Sequence, residues 1–346
     1  MTRPQTGTSR RIGGFLIVLG MISSCLYSAQ VFKYKNTKPE NGYLIQNVPG
    51  EKWLKRNYCG PACLAMVLNY WDGKGSFSQQ KITDDIFDSE NQATYNSEMV
   101  LYPRSKGFAS YSFQGDLRIL KEVVARGIPV IALTKPIKQI PKGHYRVVIG
   151  YDDDKDQVIF HDPFFGSRYA MSSKNFLKVW ELGKGRNERR WMLAVVPGQS
   201  PFPFPALQND PLTAINLATA YYRRSDFTKS KEQWEKAREF LKTDPCPLYS
   251  LGMISLREGK AGEAEAYVLQ AIGLDAKSAY AHDVLGLAYA KQEKIEPALQ
   301  SLELAQRLAP GEKFIRKHYL QVRALRIERT RHENVKNKEK QNEKTS

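Results

Sequence analysis

From Thr213 to Glu312 the chain repeats itself: displaced by 34 residues, it superposes large and small positions three times without a gap. Leu217, Leu251 and Leu285 fall in line, followed at once by Ala218, Gly252 and Gly286. Ser230, Ala264 and Ala298 then align, as do Trp234, Val268 and Leu302, then Ala237, Ala271 and Ala305, and finally Phe240, Leu274 and Leu308. A unit of this length is one pair of helices, too small to bury its own apolar face, so successive units must stack. The small residues let the two helices of a pair approach, and the large ones are expected to fill the space between units. This predicts an all-α solenoid, closed by a capping helix over KFIRKHYLQVRALRIER.

Immediately before the repeats, PGQSPFPFPALQNDP (197–211) holds five prolines in fifteen residues. Missing amide donors and fixed φ angles favour a stiff extended connector there, and the domain linker is placed at 198–211. With 346 residues in all, a further domain of ordinary size fits upstream. A composition of 42% hydrophobic and 25% charged residues excludes collagen-like, wholly disordered and multi-span membrane classes. The formal net charge of +16 invites a nucleic-acid reading, but it is concentrated at the ends. Residues 1–35 hold five Lys/Arg and no acid, and residues 323–346 hold eight against four acids. The middle is only mildly basic and carries no basic-aromatic stripe, so no nucleic-acid partner is expected. Residues 331–346 have almost no apolar side chain and are expected to be a disordered basic tail.

The chain begins with Arg10 and Arg11, the apolar run FLIVLGMI and then Ile22-Ser23-Ser24-Cys25, the pattern of an export signal. This stretch resembles the lipobox of bacterial lipoproteins, which implies lipidation of Cys25 and attachment to a membrane of the cell envelope. Leu26 in the next position leans toward the outer membrane. A retained single-span anchor over residues 12–32 and an ordinary cleaved signal are the alternatives. Residues 26–44 then read as a linker.

Chemistry centres on NYCGPACLAMVLNYW, residues 57–71. Pro61 is pre-set for a first helical turn and apolar residues continue at helical spacing to Tyr70, so Cys59 sits at a helix N-terminus. The dipole there is expected to favour the thiolate, as a nucleophile requires, with Gly60 clearing space for a substrate carbonyl. Cys63, one turn on, reads as a small buried hydrophobe. Four cysteines are too few for a disulfide scaffold, and a metal pair of Cys59 and Cys63 lacks a second pair, so neither metal nor cofactor is expected. Downstream, GIPVIALT, HYRVVIGYD and QVIFHD read as strands, with DDDKD as a hairpin turn. His144 opens one strand. His161 and Asp162 are adjacent in another and must face opposite ways. Cys59, His144 and Asp162 are therefore the candidate nucleophile, base and orienting acid of a papain-type arrangement.

CGPACLAMVL, GHYRVVIGYD and HDPFFG resemble, in order and spacing, the C39-like cysteine peptidases, relatives of the domain that trims double-glycine leaders in bacteriocin exporters. The resemblance covers about 45–197 and implies an α+β papain-like domain with Cys59 as nucleophile, His144 as general base and Asp162 as orienting acid. It implies a peptide or protein substrate. The 34-residue period resembles the tetratricopeptide repeat, with Pro310 at its closing proline, and implies a groove for a peptide or protein partner. The peptidases usually carry an oxyanion-binding glutamine five or six residues before the cysteine. Trp53 and Leu54 stand there, with Gln46 and Asn57 the other amides nearby, and loss of one such donor costs about 100- to 1000-fold in rate. The expected activity is a cell-envelope cysteine peptidase. The alternatives are a weak or inactive peptidase-fold adaptor, and acyl transfer to an amine.

Overall fold

A computed structural model of the chain describes residues 31–35, 38–135, 143–183 and 189–345. The N-terminal part is built on an antiparallel sheet of eight strands: β1 (Phe32–Lys33), β2 (Gly42–Leu44), β3 (Phe108–Gln114), β4 (Val130–Thr134), β5 (His144–Asp152), β6 (Gln157–Asp162), β7 (Gly166–Ser172) and β8 (Trp191–Pro197). Their order is β1-β7-β6-β5-β4-β8-β3, with β2 pairing β5. Helices α1 (Cys59–Asp72), α2 (Gln79–Ile86), α3 (Asn96–Ser105), α4 (Leu117–Ala125) and α5 (Ser173–Trp180) complete the α+β domain.

The unbroken apolar run read as a core strand is β4, buried at every position, as a strand covered on both faces must be. Helix α1 is buried continuously from Cys59 to Leu68 and packs on β5. It stops at Gly73, whose φ of 67° is the left-handed conformation that ends helices. His144 therefore opens a central strand beneath a buried helix.

The stretch expected as a linker, 26–44, is partly built into the sheet. Phe32 pairs with Ala170 and Leu44 with Gly150. Tyr34 is buried, and its hydroxyl donates to Asp152 Oδ2 (2.9 Å). Edge strands of two and three residues are too short to show a period of two. The described part of the N-terminal domain thus begins upstream of residue 45, and residues 1–30, including Cys25, lie outside the described residues.

The proline-rich stretch also docks rather than spans. Phe202 is buried and stacks on Tyr111 with centroids 4.3 Å apart. Pro205 then opens a one-turn helix, α6 (Pro205–Gln208), since proline is tolerated where the helical amide has no partner. Six helices follow in pairs: α7 (Pro211–Arg223) with α8 (Phe227–Phe240), α9 (Cys246–Arg257) with α10 (Ala261–Leu274), and α11 (Ala279–Lys291) with α12 (Ile295–Leu308). A last helix, α13 (Lys313–Thr345), packs on α12.

The repeated small residues sit where the helices of a pair touch. A Cβ on Gly252 would lie 2.8 Å from Val268 Cγ1, and one on Gly286 would lie 2.5 Å from Leu302 Cγ. Ala237, Ala271 and Ala305 have no exposed surface. Phe240 and Leu274, expected between units, are instead exposed, because each falls at the last turn of its helix.

The solenoid joins the sheet through α7. On the outer side of β3, Ser112 N donates to Thr213 Oγ1 (2.9 Å), which in turn donates to Ser112 O (3.0 Å). A threonine side chain thus closes an otherwise open sheet edge. Arg224 also bonds Glu98 of α3 at 2.6 Å.

Residues 331–345, expected as a disordered tail, continue α13. Lysine, glutamate, glutamine and arginine are good helix formers, and Arg329 and Glu333 pair one turn apart. The polarity that argued against a core does not argue against a solvated helix.

Candidate active site

Cys59 is the first residue of α1. Tyr58 before it makes no side-chain cap and the first turn holds no acid, so nothing neutralises the donor end of the helix. Cys59 is 4% exposed. Burial pushes its pKa up to about 11, with the charge of Asp162 adding to the rise, against opposing hydrogen bonds from the backbone of Tyr145, Gly60 and Cys59. The lowering expected from the helix dipole is therefore outweighed: at rest the sulfur is a thiol. Gly60 serves packing rather than substrate access. A Cβ there would meet Thr94 Cβ at 2.9 Å and Met99 Sδ at 3.1 Å. Cys63 is fully buried.

His144 and Asp162 come together with no exposed surface on either. Nε2 of the imidazole lies 2.9 Å from Asp162 Oδ1. The Oδ1 atom also accepts from the amides of Phe164 (2.7 Å) and Phe165 (3.2 Å). Burial opposes ionisation of Asp162, but His144, Arg146 and the Phe164 amide outweigh it and hold the carboxyl well below its usual range. An ionised carboxylate only accepts, so the shared proton belongs to Nε2 and the Nδ1 lone pair is left bare. Nδ1 is buried and has no hydrogen-bond partner among the described residues. Burial, aided by the charge of Arg146, lowers the His144 pKa and keeps the ring neutral; Asp162 works the other way.

Arg146 was not anticipated as part of the site. The register that pairs Val147 with His161 and Val148 with Phe160 places it opposite Asp162. Its Nε donates to Asp162 Oδ2 at 2.6 Å, and a terminal nitrogen donates to Thr134 Oγ1. Strand alternation did place Arg146 on the same face as His144, but the partner depends on the register, which single-chain patterning does not fix.

The positions where the resemblance implies glutamine have other uses. Trp53 meets His144 edge-on at 6.0 Å between centroids and Phe164 at 5.4 Å. Leu54 is exposed, and its amide donates to Oε1 of the buried Gln79 (2.6 Å). Gln79 also donates to Glu51 and to Lys52 O, so it shapes the loop carrying Trp53. Gln46 bonds Leu44 O and Arg168. Asn57, two residues before Cys59, has a left-handed φ of 72° and a buried Oδ1 without a partner among the described residues.

His161 faces away, as alternation requires. Its Nε2 bonds Val48 O (2.9 Å), its Nδ1 accepts from the Arg168 amide (2.9 Å), and burial lowers its pKa to about 4. Among the described residues no group of three His, Cys, Asp or Glu side chains could hold a metal ion, and no helix is long and apolar enough to cross a membrane.

Residues 45–187 match the Peptidase_C39 like family, and residues 247–278 match the tetratricopeptide repeat. No curated protein matches the chain. Solved structures similar to part of it include the Sgt2 tetratricopeptide domain from Aspergillus fumigatus, at 17% identity, TM-score 0.33, covering 37% of this chain and 84% of that one. The second such domain of human RPAP3, in complex with an HSP70 peptide, is 20% identical at TM-score 0.30, covering 33% and 94%. The first such domain of Spaghetti (RPAP3), bound to an HSP90 peptide, is 16% identical at TM-score 0.32, with the same coverage. The chain carries a Peptidase_C39-like domain followed by tetratricopeptide-repeat structure.

Proposed function

We propose that the N-terminal domain is a cysteine peptidase in which Cys59 attacks an amide carbonyl, His144 moves the proton and Asp162 orients His144. The observation that carries this reading is the bare Nδ1 of His144: a buried acceptor without a partner costs about 1–3 kcal/mol, and here it belongs to a ring fixed from its other side by a carboxylate. The backbone of Tyr145, next along the strand, contacts the Cys59 sulfur.

In the reaction, Sγ bonds the carbonyl carbon while the thiol proton passes to Nδ1. The oxyanion that forms is met by the Cys59 and Gly60 amides, which bond the sulfur at rest and are freed as it bonds carbon. Collapse breaks the C–N bond, and the leaving amine takes the proton from Nδ1. A thioester remains on Cys59. Water then adds to it, giving a proton to Nδ1 that returns to sulfur as the acid leaves.

In this reading the repeats recruit a peptide or protein. The first helices α7, α9 and α11, with Trp234 of α8 and Phe314 of α13, line a cavity of about 170 Å³ that also includes Tyr222, Tyr249, Met253 and Tyr280, suited to an apolar side chain. Export and lipid attachment through Cys25, at the outer membrane, belong to the same proposal and rest on the sequence alone.

Incubation of the purified protein with a mixture of unstructured peptides, followed by mass spectrometry, tests the activity. Cleavage that disappears in Cys59→Ala supports it. Products carrying an added amine point to acyl transfer. The absence of any product points to an adaptor, a reading favoured by the depth of Cys59 and by the missing glutamine at residues 53 and 54.

A further inference from the structure

We propose that Arg146 is a positioning residue that sets the resting protonation of this site. By holding the second oxygen of Asp162 and cancelling its charge, it adds to burial in keeping His144 a neutral imidazole, and so Cys59 a thiol, until a carbonyl is attacked. The inference rests on the reading of those two residues as nucleophile and base.

Arg146 is 2% exposed and Asp162 fully buried, and their contact at 2.6 Å lies across facing positions of β5 and β6. The guanidinium is fixed on three sides: by Asp162, by Thr134 Oγ1 and by the ring of Phe160, 5.5 Å from its carbon to the centroid. Thr134 is itself tied to the site, since its hydroxyl donates to His144 O at 2.8 Å.

A lone buried carboxylate beside an imidazole stabilises the imidazolium, and an imidazolium beside a thiol stabilises the thiolate. With Arg146 already balancing Asp162, the two charges sum to zero, and an added imidazolium would stand near a second cation in a site shielded by Trp53. Among the described residues, the other titratable groups coupled to the site are Cys63 from α1, Glu51 from the preceding loop and Tyr145 from β5 itself. None of them supplies a cation. The ion pair is therefore withheld at rest, and the proton crosses from Sγ to Nδ1 only during attack. A merely structural Arg146 would stabilise the fold without governing this proton.

The test is the ultraviolet thiolate absorbance of Cys59, read as the difference between each protein and its Cys59→Ser counterpart across pH 5–10. Wild type is expected to show no thiolate at pH 7. Arg146→Met, folded by circular dichroism, is expected to begin its titration at least about one unit lower, giving several-fold more thiolate than wild type at the alkaline end of the range. This signal should vanish when His144→Ala is added. Arg146→Lys, which keeps the charge, should restore the wild-type titration. Thiolate already present in the wild type at pH 7 overturns the proposal whether or not the variant folds. So does an Arg146→Met titration that superposes on the wild type, with Arg146→Gln as the substitute if methionine is not tolerated. Alkylation of Cys59 that is indifferent to His144 would instead remove the underlying peptidase reading.

Discussion

The indole of Trp53 meets the imidazole of His144 edge to face, with centroids 6.0 Å apart and planes at 78°. Trp53 also leans on Phe164, so two aromatic rings cover the site of the His144 and Asp162 hydrogen bond. At the position where glutamine would bind an oxyanion, this chain places a shield that strengthens the polar pair by excluding water.

Trp53→Ala should raise the His144 pKa toward its ordinary value, because burial is the largest cause of its lowering. Unfolding stability should fall by about 2 kcal/mol for the lost apolar contact. Trp53→Phe should change both less. Imidazole NMR titration with a thermal melt reads the two effects together.

Asp162→Asn should leave Arg146 buried without its counter-charge, at a cost of about 3–5 kcal/mol, measurable by denaturant unfolding. The amide can also donate to Nε2, which favours the wrong tautomer of His144. Peptide cleavage should therefore drop by roughly 1000-fold or more, and far beyond what the fraction of unfolded protein explains.

His161 should make the fold acid-sensitive. Its folded pKa of about 4 lies below its ordinary 6.5, so a neutral ring is what the fold stabilises. That contribution is fully present above pH 6.5 and is lost as pH falls toward 4, by up to about 3 kcal/mol. Urea melts at pH 7 and pH 4.5 should show the loss, and His161→Gln should flatten the difference.

Thr213→Val should leave the amide and carbonyl of Ser112 unpaired on a buried strand edge. A cost of about 1–3 kcal/mol is expected, and hydrogen exchange at Ser112 should accelerate while exchange in α11 and α12 does not.

The pairing of His144 with Asp162 and the place of Cys59 at a helix start were legible because each residue sits in a short motif with its own local structure: a strand start, a strand end and a proline-opened helix. The opposed facing of His161 and Asp162 followed from alternation alone. Arg146 was not legible as a site residue, because its bond to Asp162 depends on the pairing of two strands. The helix dipole predicts an acidified thiol, but burial, which sequence spacing does not display, pushes it the other way. In the repeats, Gly252 and Gly286 announced close helix contacts through their period. Strands β1 and β2 carried no pattern, since two or three residues cannot display one.

Lipid attachment at Cys25 predicts a mature N-terminus at that residue, modified by acyl chains. Intact-mass analysis of protein extracted from membranes reads it. A soluble product starting elsewhere, or a retained residue 1, contradicts it, and Cys25→Ser should release the protein from the membrane fraction.

The most direct measurement is the rate at which iodoacetamide alkylates Cys59 at pH 7, located by peptide mass spectrometry, in wild type and in His144→Ala. Transfer of the thiol proton to Nδ1 predicts a fall of about 100-fold in the variant. Equal, slow rates in both proteins would contradict the pairing of these two residues and leave the domain a binding module.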